Sequence, residues 1–181
     1  MIKRPFGWTK VEVPVIGQGT WMIEGEPDRE KRPVETLRLG LDLGLTHIDT
    51  AEMYGDGRVE QLLAEAIVGR RDGFRLLPQC TQEQIAIVAY SPFGHGKFPG
   101  VHNAGGRLLA EIAERHGQTP RQVALNFLTR HPNVFAIPKT TDPDRVKENA
   151  GAVGWKLSAQ EMDAIDRAFP APAFVTTLGT L

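Results

Sequence analysis

Cysteine is nearly missing from this chain: Cys80 is the only one in 181 residues. No intrachain disulfide can form, and a reducing compartment fits. A lone cysteine of this kind is expected to be a buried structural thiol. The five histidines are scattered, with no HExxH and no Cys/His ligand spacing, so no dedicated metal site is expected. No window approaches the roughly 20 apolar residues of a membrane helix. The N-terminus, MIKRPFGWTK, has no apolar signal core, which together with the single thiol predicts a cytoplasmic protein. Charge of one sign is not in excess either. Lysine and arginine total 21 against 22 acidic residues, and a net charge of -1 gives no general attraction to nucleic acid or acidic membranes. Sequence repeats and low-complexity tracts are absent.

What remains is ordinary for a soluble globular protein, with 41% hydrophobic and 24% charged residues. The length suits one domain with a sizeable core. Residues 4–16 read as a hairpin, with Gly7 near the turn and alternation through Val11, Val13 and Val15. A first core strand follows at 14–19, where Gly17 and Gly19 allow a close backbone approach. A helix at about 32–43 starts on Pro33 and ends at Gly44; a second strand covers about 45–50. Val59, Leu62, Leu63, Ala66 and Ile67 give the next helix, about 57–69, a clear apolar stripe.

Then the βα rhythm breaks. RRDGFRLLPQCTQEQ has no β-branched run and reads as a linker with a short helix. The next strand is IAIVAYS, 85–91, whose continuous apolar run is typical of burial on both faces. A glycine-rich loop and helices at about 104–116 and 119–130 follow, the second with Thr119 as cap and Pro120 at its first position. NVFAIP, 133–138, is the last strand. Asp142-Pro143 opens a helix to about 152, and Ser158 with Glu161 caps the final one, 159–168. The tail 170–181 reads as a surface arm. The pattern predicts an α/β fold with four parallel core strands, too few to close an eight-stranded barrel of typically about 250 residues.

Three constellations carry chemistry. Alternation puts His47 and Asp49 on one face at the end of the second strand, with Tyr54 in the loop beyond. An acid and a phenol at a strand's carboxyl end suit proton transfer to a carbonyl oxygen, provided a cation lowers the phenol's pKa. The same residues also suit a capped loop and a packed ring. Lys139-Thr140-Thr141-Asp142-Pro143-Asp144-Arg145 places two cations and hydroxyls around a helix start, which fits either a phosphate site or ordinary solvated capping. The loop from Ser91 to Gly100 is rich in glycine but is neither GxGxxG nor a P-loop.

VPVIGQGTW, HIDTAEMYG, VAYSPFG and IPKTTDPDRVKENAGA occur in this order, and together they resemble the aldo-keto reductase family. The resemblance covers the chain in two blocks, 4–74 and 75–172, within a single shortened domain. It implies a partial (β/α)8 TIM barrel with helices around the four strands and the hairpin at its N-terminus. It also implies NADP(H) as cofactor and aldehydes or ketones as substrates. By the same resemblance Asp49 and Tyr54 match the catalytic aspartate and proton-donating tyrosine. Gly19, Thr20 and Trp21 match the nicotinamide and substrate wall, with Tyr54 and the C-terminal tail as further pocket candidates. Ser91, Pro92, Phe93 and Gly94 match the loop under the pyrophosphate. Lys139, Thr140, Arg145, Glu148 and Asn149 match the site for the adenosine 2′-phosphate and adenine.

The departures from the family are as informative. The family's third to sixth strands have no counterpart, and with them go its catalytic lysine and histidine and the residues that hold and stack the nicotinamide. His47 lies one pleat deeper than Asp49 and is no ready substitute. The retained strands are the family's first, second, seventh and eighth, which predicts a half-barrel in spatial order three, four, one, two. Its exposed outer edges predict a homodimer or higher homo-oligomer, with a second copy completing a closed or nearly closed barrel. Three functions remain open at this level: a carbonyl reductase with impaired turnover, a non-catalytic nucleotide-binding or interaction module, and a gene fragment without selected activity.

Overall fold

The computed structural model of the protein describes residues 1–25, 31–51, 53–67, 86–94, 96–132 and 134–170. The readings for 70–84, Cys80 and the arm beyond residue 170 lie outside these residues. Among them are strands β1 (Lys3–Pro5), β2 (Glu12–Pro14), β3 (Gln18–Gly19), β4 (Ile48–Asp49), β5 (Ile87–Tyr90) and β6 (Val134–Ile137). The helices are α1 (Lys31–Asp42), α2 (Arg58–Ala66), α3 (Ala104–His116), α4 (Pro120–Leu128), α5 (Pro143–Ala150) and α6 (Ala159–Ala168).

β1 and β2 form the predicted antiparallel hairpin, pairing Arg4 with Val13. The other strands run parallel. β5 pairs with β6, a bridge joins Ile16 to Ala136 and another joins Gly19 to Lys139, and β3 pairs with β4. The amide of Gly17 donates to the Ala136 carbonyl at 2.8 Å, and the Ala136 amide donates to the Val15 carbonyl at 2.9 Å. Spatial order is therefore β5-β6-β3-β4, the third, fourth, first and second core strands of the chain, as the half-barrel reading predicts. Gly17 and Gly19 serve this sheet directly. A Cβ on Gly17 would stand 2.4 Å from the His47 carbonyl oxygen, and one on Gly19 would stand 2.8 Å from that of Ile137.

One strand expectation needs correcting. IAIVAYS was to be buried on both faces, yet Val88 and Ala89 are only half-buried and Tyr90 is 56% exposed. The cause is topological: β5 has a neighbour on one side alone among the described residues, and its inner face opens onto a cleft.

Helices pack outside the sheet. Val15, Ile16, Leu45, Leu125, Phe135 and Val146 form one buried cluster between sheet and helices. The α2 stripe joins Val34 and Leu37 of α1 in a second, and α3, α4 and α6 share a third around Ile112 and Val123. Gln18 ties β3 to α1 and to the loop beyond it, donating to the Leu37 carbonyl at 3.4 Å and to the Leu45 carbonyl at 3.0 Å. The hairpin closes one end of the sheet. Phe6 lies 5.5 Å from the His47 ring and 4.9 Å from the Phe135 ring. Arg4 donates to the carbonyls of Thr129 and His131, just beyond α4, at 2.7 and 2.8 Å. The hairpin thereby leaves the carboxyl ends of the strands as the accessible mouth.

Candidate active site

Asp49 ends β4, half-buried, and burial raises its carboxyl above the ordinary carboxylate value. The Thr20 hydroxyl, fully buried, donates to the Asp49 carbonyl oxygen at 2.8 Å and fixes the backbone there. Tyr54 opens a one-turn 3-10 helix, its amide donating to the Ala51 carbonyl at 2.9 Å. Gly55, Asp56 and Gly57 then take left-handed φ values of 56°, 49° and 84°, which the GDG sequence tolerates and most residues would not. This turn hands the chain to α2 and leaves Tyr54 beside Asp49. Asp49, Tyr54, Gly19, Thr20, Tyr90 and Lys139 share a small inner pocket of about 60 Å³.

Burial raises the Tyr54 phenol first, and the Asp49 charge raises it further. Both act against proton donation, because a good acid at neutral pH needs the opposite shift. His47 gives no help. Its ring is buried against Phe6 and Phe135, burial lowers its pKa, and its Nδ1 has no hydrogen-bond partner.

A larger cleft of about 490 Å³ adjoins this pocket, sharing Trp21, Ser91 and Lys139 with it. Ser91, Pro92 and Phe93 form one wall, in a tight turn closed by the Gly94 amide on the Ser91 carbonyl at 2.9 Å. Lys139, Thr140, Arg145 and Asn149 form another. Two residues from the predicted set stand aside. Gly94 serves the turn rather than the lining, with φ of 66°. Glu148 braces the wall from behind: its Oε1 accepts from the Thr119 hydroxyl at 2.6 Å and its Oε2 accepts from Arg145 at 2.5 Å. The Arg145 guanidinium is held above its ordinary pKa chiefly by that hydrogen bond.

The structure also adds residues that the motifs did not flag. Tyr90, Met22, Phe98 and Arg121 line the two spaces. A signal for Tyr90 was present, since it is the last residue of β5 and shares the inner face with Ile137. The signal for Arg121 was its place in the first turn of a capped helix, whose start in a parallel α/β fold points to the mouth. No group of three or more His, Cys, Asp or Glu side chains able to hold a metal occurs among the described residues.

Two segments, 15–77 and 70–169, match the family model for the aldo/keto reductase family and together span most of the chain. This chain belongs to the aldo/keto reductase family. The methylglyoxal reductase YeaE of Escherichia coli strain K12 is 25% identical over 273 residues, covering 93% of this chain and 95% of YeaE. An alignment that long against 181 residues bridges a wide internal gap, so this aldo/keto reductase is an internally shortened member. The 9,11-endoperoxide prostaglandin H2 reductase of Trypanosoma cruzi is 38% identical over 87 residues, covering 48% of this chain and 30% of that enzyme. Among solved structures, an aldo/keto reductase of Klebsiella pneumoniae in complex with NADP and acetate superposes with a TM-score of 0.83 at 23% identity, covering 99% of both chains. The fold of this aldo/keto reductase is a partial (β/α)8 barrel. No described helix is long and apolar enough to cross a membrane.

Proposed function

We propose that this chain binds NADP(H) and works as an aldo-keto reductase-type oxidoreductase on small aldehydes or ketones, with turnover held down by a weak proton donor. One observation carries the reading: Lys139, Arg145, Thr140 and the Ser91–Phe93 turn line a single cleft that opens beside Asp49 and Tyr54. The cleft fits a dinucleotide in chemistry, combining cations and hydroxyls with apolar walls from Trp21 and Phe93. Arg145, Lys139 and Thr140 hold the 2′-phosphate, with Glu148 orienting Arg145 and Asn149 facing the adenosine. The Ser91–Phe93 turn lies along the pyrophosphate. Gly19, Thr20 and Trp21 border the nicotinamide end, where the exposed ring of Tyr90 offers a flat aromatic surface. Bound NADPH supplies the hydride. Tyr54 gives the proton to the carbonyl oxygen from its phenolic oxygen, and Asp49 fixes the polar network around it.

NADPH oxidation with methylglyoxal, the substrate in YeaE's name, tests the catalytic part. Tyr54→Phe should lower kcat by about 10²-fold while leaving NADPH affinity unchanged, as loss of a general acid does. Equal rates in the two proteins would remove Tyr54 from the chemistry. The raised phenol favours a second reading, a nucleotide-binding module that has lost efficient reduction. NADPH binding without turnover in the wild-type chain would select it.

The family's third to sixth strands are the ones missing, between the blocks 4–74 and 75–172. A second copy supplies the other half of the barrel, and the assembly resides in the reducing cytoplasm.

A further inference from the structure

We infer that Arg121 binds the diphosphate of the dinucleotide, the part that NADH and NADPH share, so that Arg121 sets affinity for both while Arg145 sets the preference for NADPH. This rests on the nucleotide-binding reading above and assigns it a residue outside the matched motifs.

Arg121 is the second residue of α4, after the Thr119 cap and Pro120. The start of α4 is fixed to the cleft wall. The Thr119 hydroxyl donates to the Glu148 carboxylate at 2.6 Å, and the Gln122 carboxamide donates to the Glu148 carbonyl at 2.9 Å. From this anchored position the guanidinium lies across two rings, 5.7 Å from the Phe93 centroid and 5.2 Å from that of Phe98. Those rings meet edge to face at 5.6 Å and 89°. A guanidinium laid on aromatic faces is held in place and weakly hydrated, while its N–H edge stays available.

Charge separates Arg121 from its neighbour across the cleft. Arg145 shares its charge with Glu148. Arg121 makes no ion pair with a carboxylate among the described residues, and its side chain lines the cleft. An arginine without an acidic partner, fixed beside the Ser91–Phe93 turn, matches a diphosphate in charge and in its paired acceptor oxygens. The 2′-phosphate wall, at Lys139, Thr140 and Arg145, comes from a different element. The two anionic parts of one ligand thus have separate arginines.

Equilibrium titration of NADPH, NADH and ADP, read by isothermal calorimetry, tests this on the full chain. Arg121→Ala should weaken all three by about tenfold, the scale of one charge-assisted hydrogen bond. Arg121→Lys, which keeps the charge but not the plane, should weaken all three by less. It also carries the test if the alanine variant melts early. Arg145→Ala should weaken NADPH alone. Wild-type affinity for NADH and ADP in Arg121→Ala, or a loss confined to NADPH, would overturn the role of Arg121 and leave the nucleotide site standing. A wild-type chain that binds none of the three would sink both.

Discussion

Burial raises the Asp49 carboxyl, so its charge at neutral pH is carried at a cost to the folded state. A group whose folded pKa is raised stabilises the fold below its unfolded pKa and loses that contribution as pH rises through the folded value. Asp49→Asn should therefore raise the Tm at pH 7 relative to wild type. The gap should close as pH falls toward the ordinary 3.8 of the side chain. The same substitution reports on Tyr54. The chain has two tyrosines, so in a Tyr90→Phe background the remaining phenol can be followed by its absorbance. Removing the Asp49 charge should move Tyr54 down toward its ordinary 10.0, yet burial, the larger cause, should keep it above that value. An unmoved phenol would mean that the two groups do not feel one another. At this scale the sequence was half legible. Asp49 and Tyr54 were readable because strand alternation and one short loop place them. Tyr90 at the end of β5 and Arg121 in the first turn of α4 left only a positional signal, because what they line depends on β5, β6 and the start of α4 converging, which no local pattern records.

At the scale of elements, α6 shows how a helix start becomes a tertiary joint. Ser158 and Glu161 form the predicted capping box, the Ser158 amide donating to Oε2 at 2.9 Å and the Glu161 amide donating to Oγ at 3.2 Å. Glu161 then reaches α3: Arg115 donates to its Oε1 at 3.2 Å, and the His116 ring lies 3.1 Å from its Oε2 and 4.9 Å from the Trp155 ring. Burial would lift this carboxyl, but hydrogen bonds from Ser158, His116 and Arg115 outweigh it and hold it at about 2. A depressed carboxylate stabilises the fold above its unfolded pKa and loses that contribution as pH falls through the folded value. Glu161→Gln should thus lower the Tm at pH 7, with the deficit shrinking between pH 4.5 and about 2. A constant deficit across that window would show that packing, not charge, holds α6 to α3. The caps also explain why the helices were easier to read than the strands. Asn103 and Ser158 cap α3 and α6 through amides three residues on, so the boundaries at 104–116 and 159–168 follow from local sequence. The strands came out shorter than expected, β4 covering only Ile48–Asp49 of 45–50, because a ladder needs a paired neighbour and hydrophobic runs continue past it.

For the whole molecule, the order β5-β6-β3-β4 leaves β4 and β5 with one neighbour each among the described residues. Parallel sheets occur almost only with both faces covered, and an apolar edge strand invites pairing. A two-fold axis along the strand direction would set β5 of one copy beside β4 of the other twice over, making eight parallel strands from four. A partner that offered a single strand edge would cover one and leave the second open. Sedimentation velocity at tens of micromolar should accordingly find a species of about twice 19.9 kDa. Val88 pairs in register with Phe135, is half-buried and belongs to none of the three buried clusters, so a charge there should block closure without melting the subunit. Val88→Lys should sediment as a folded monomer with helical circular dichroism close to wild type. A wild-type chain that remains a single 19.9 kDa species at that concentration, with and without NADPH, would leave the half-barrel to stand by itself. Its inner face, with Tyr90 exposed beside Asp49, would then be a surface open to solvent rather than the interior of a barrel.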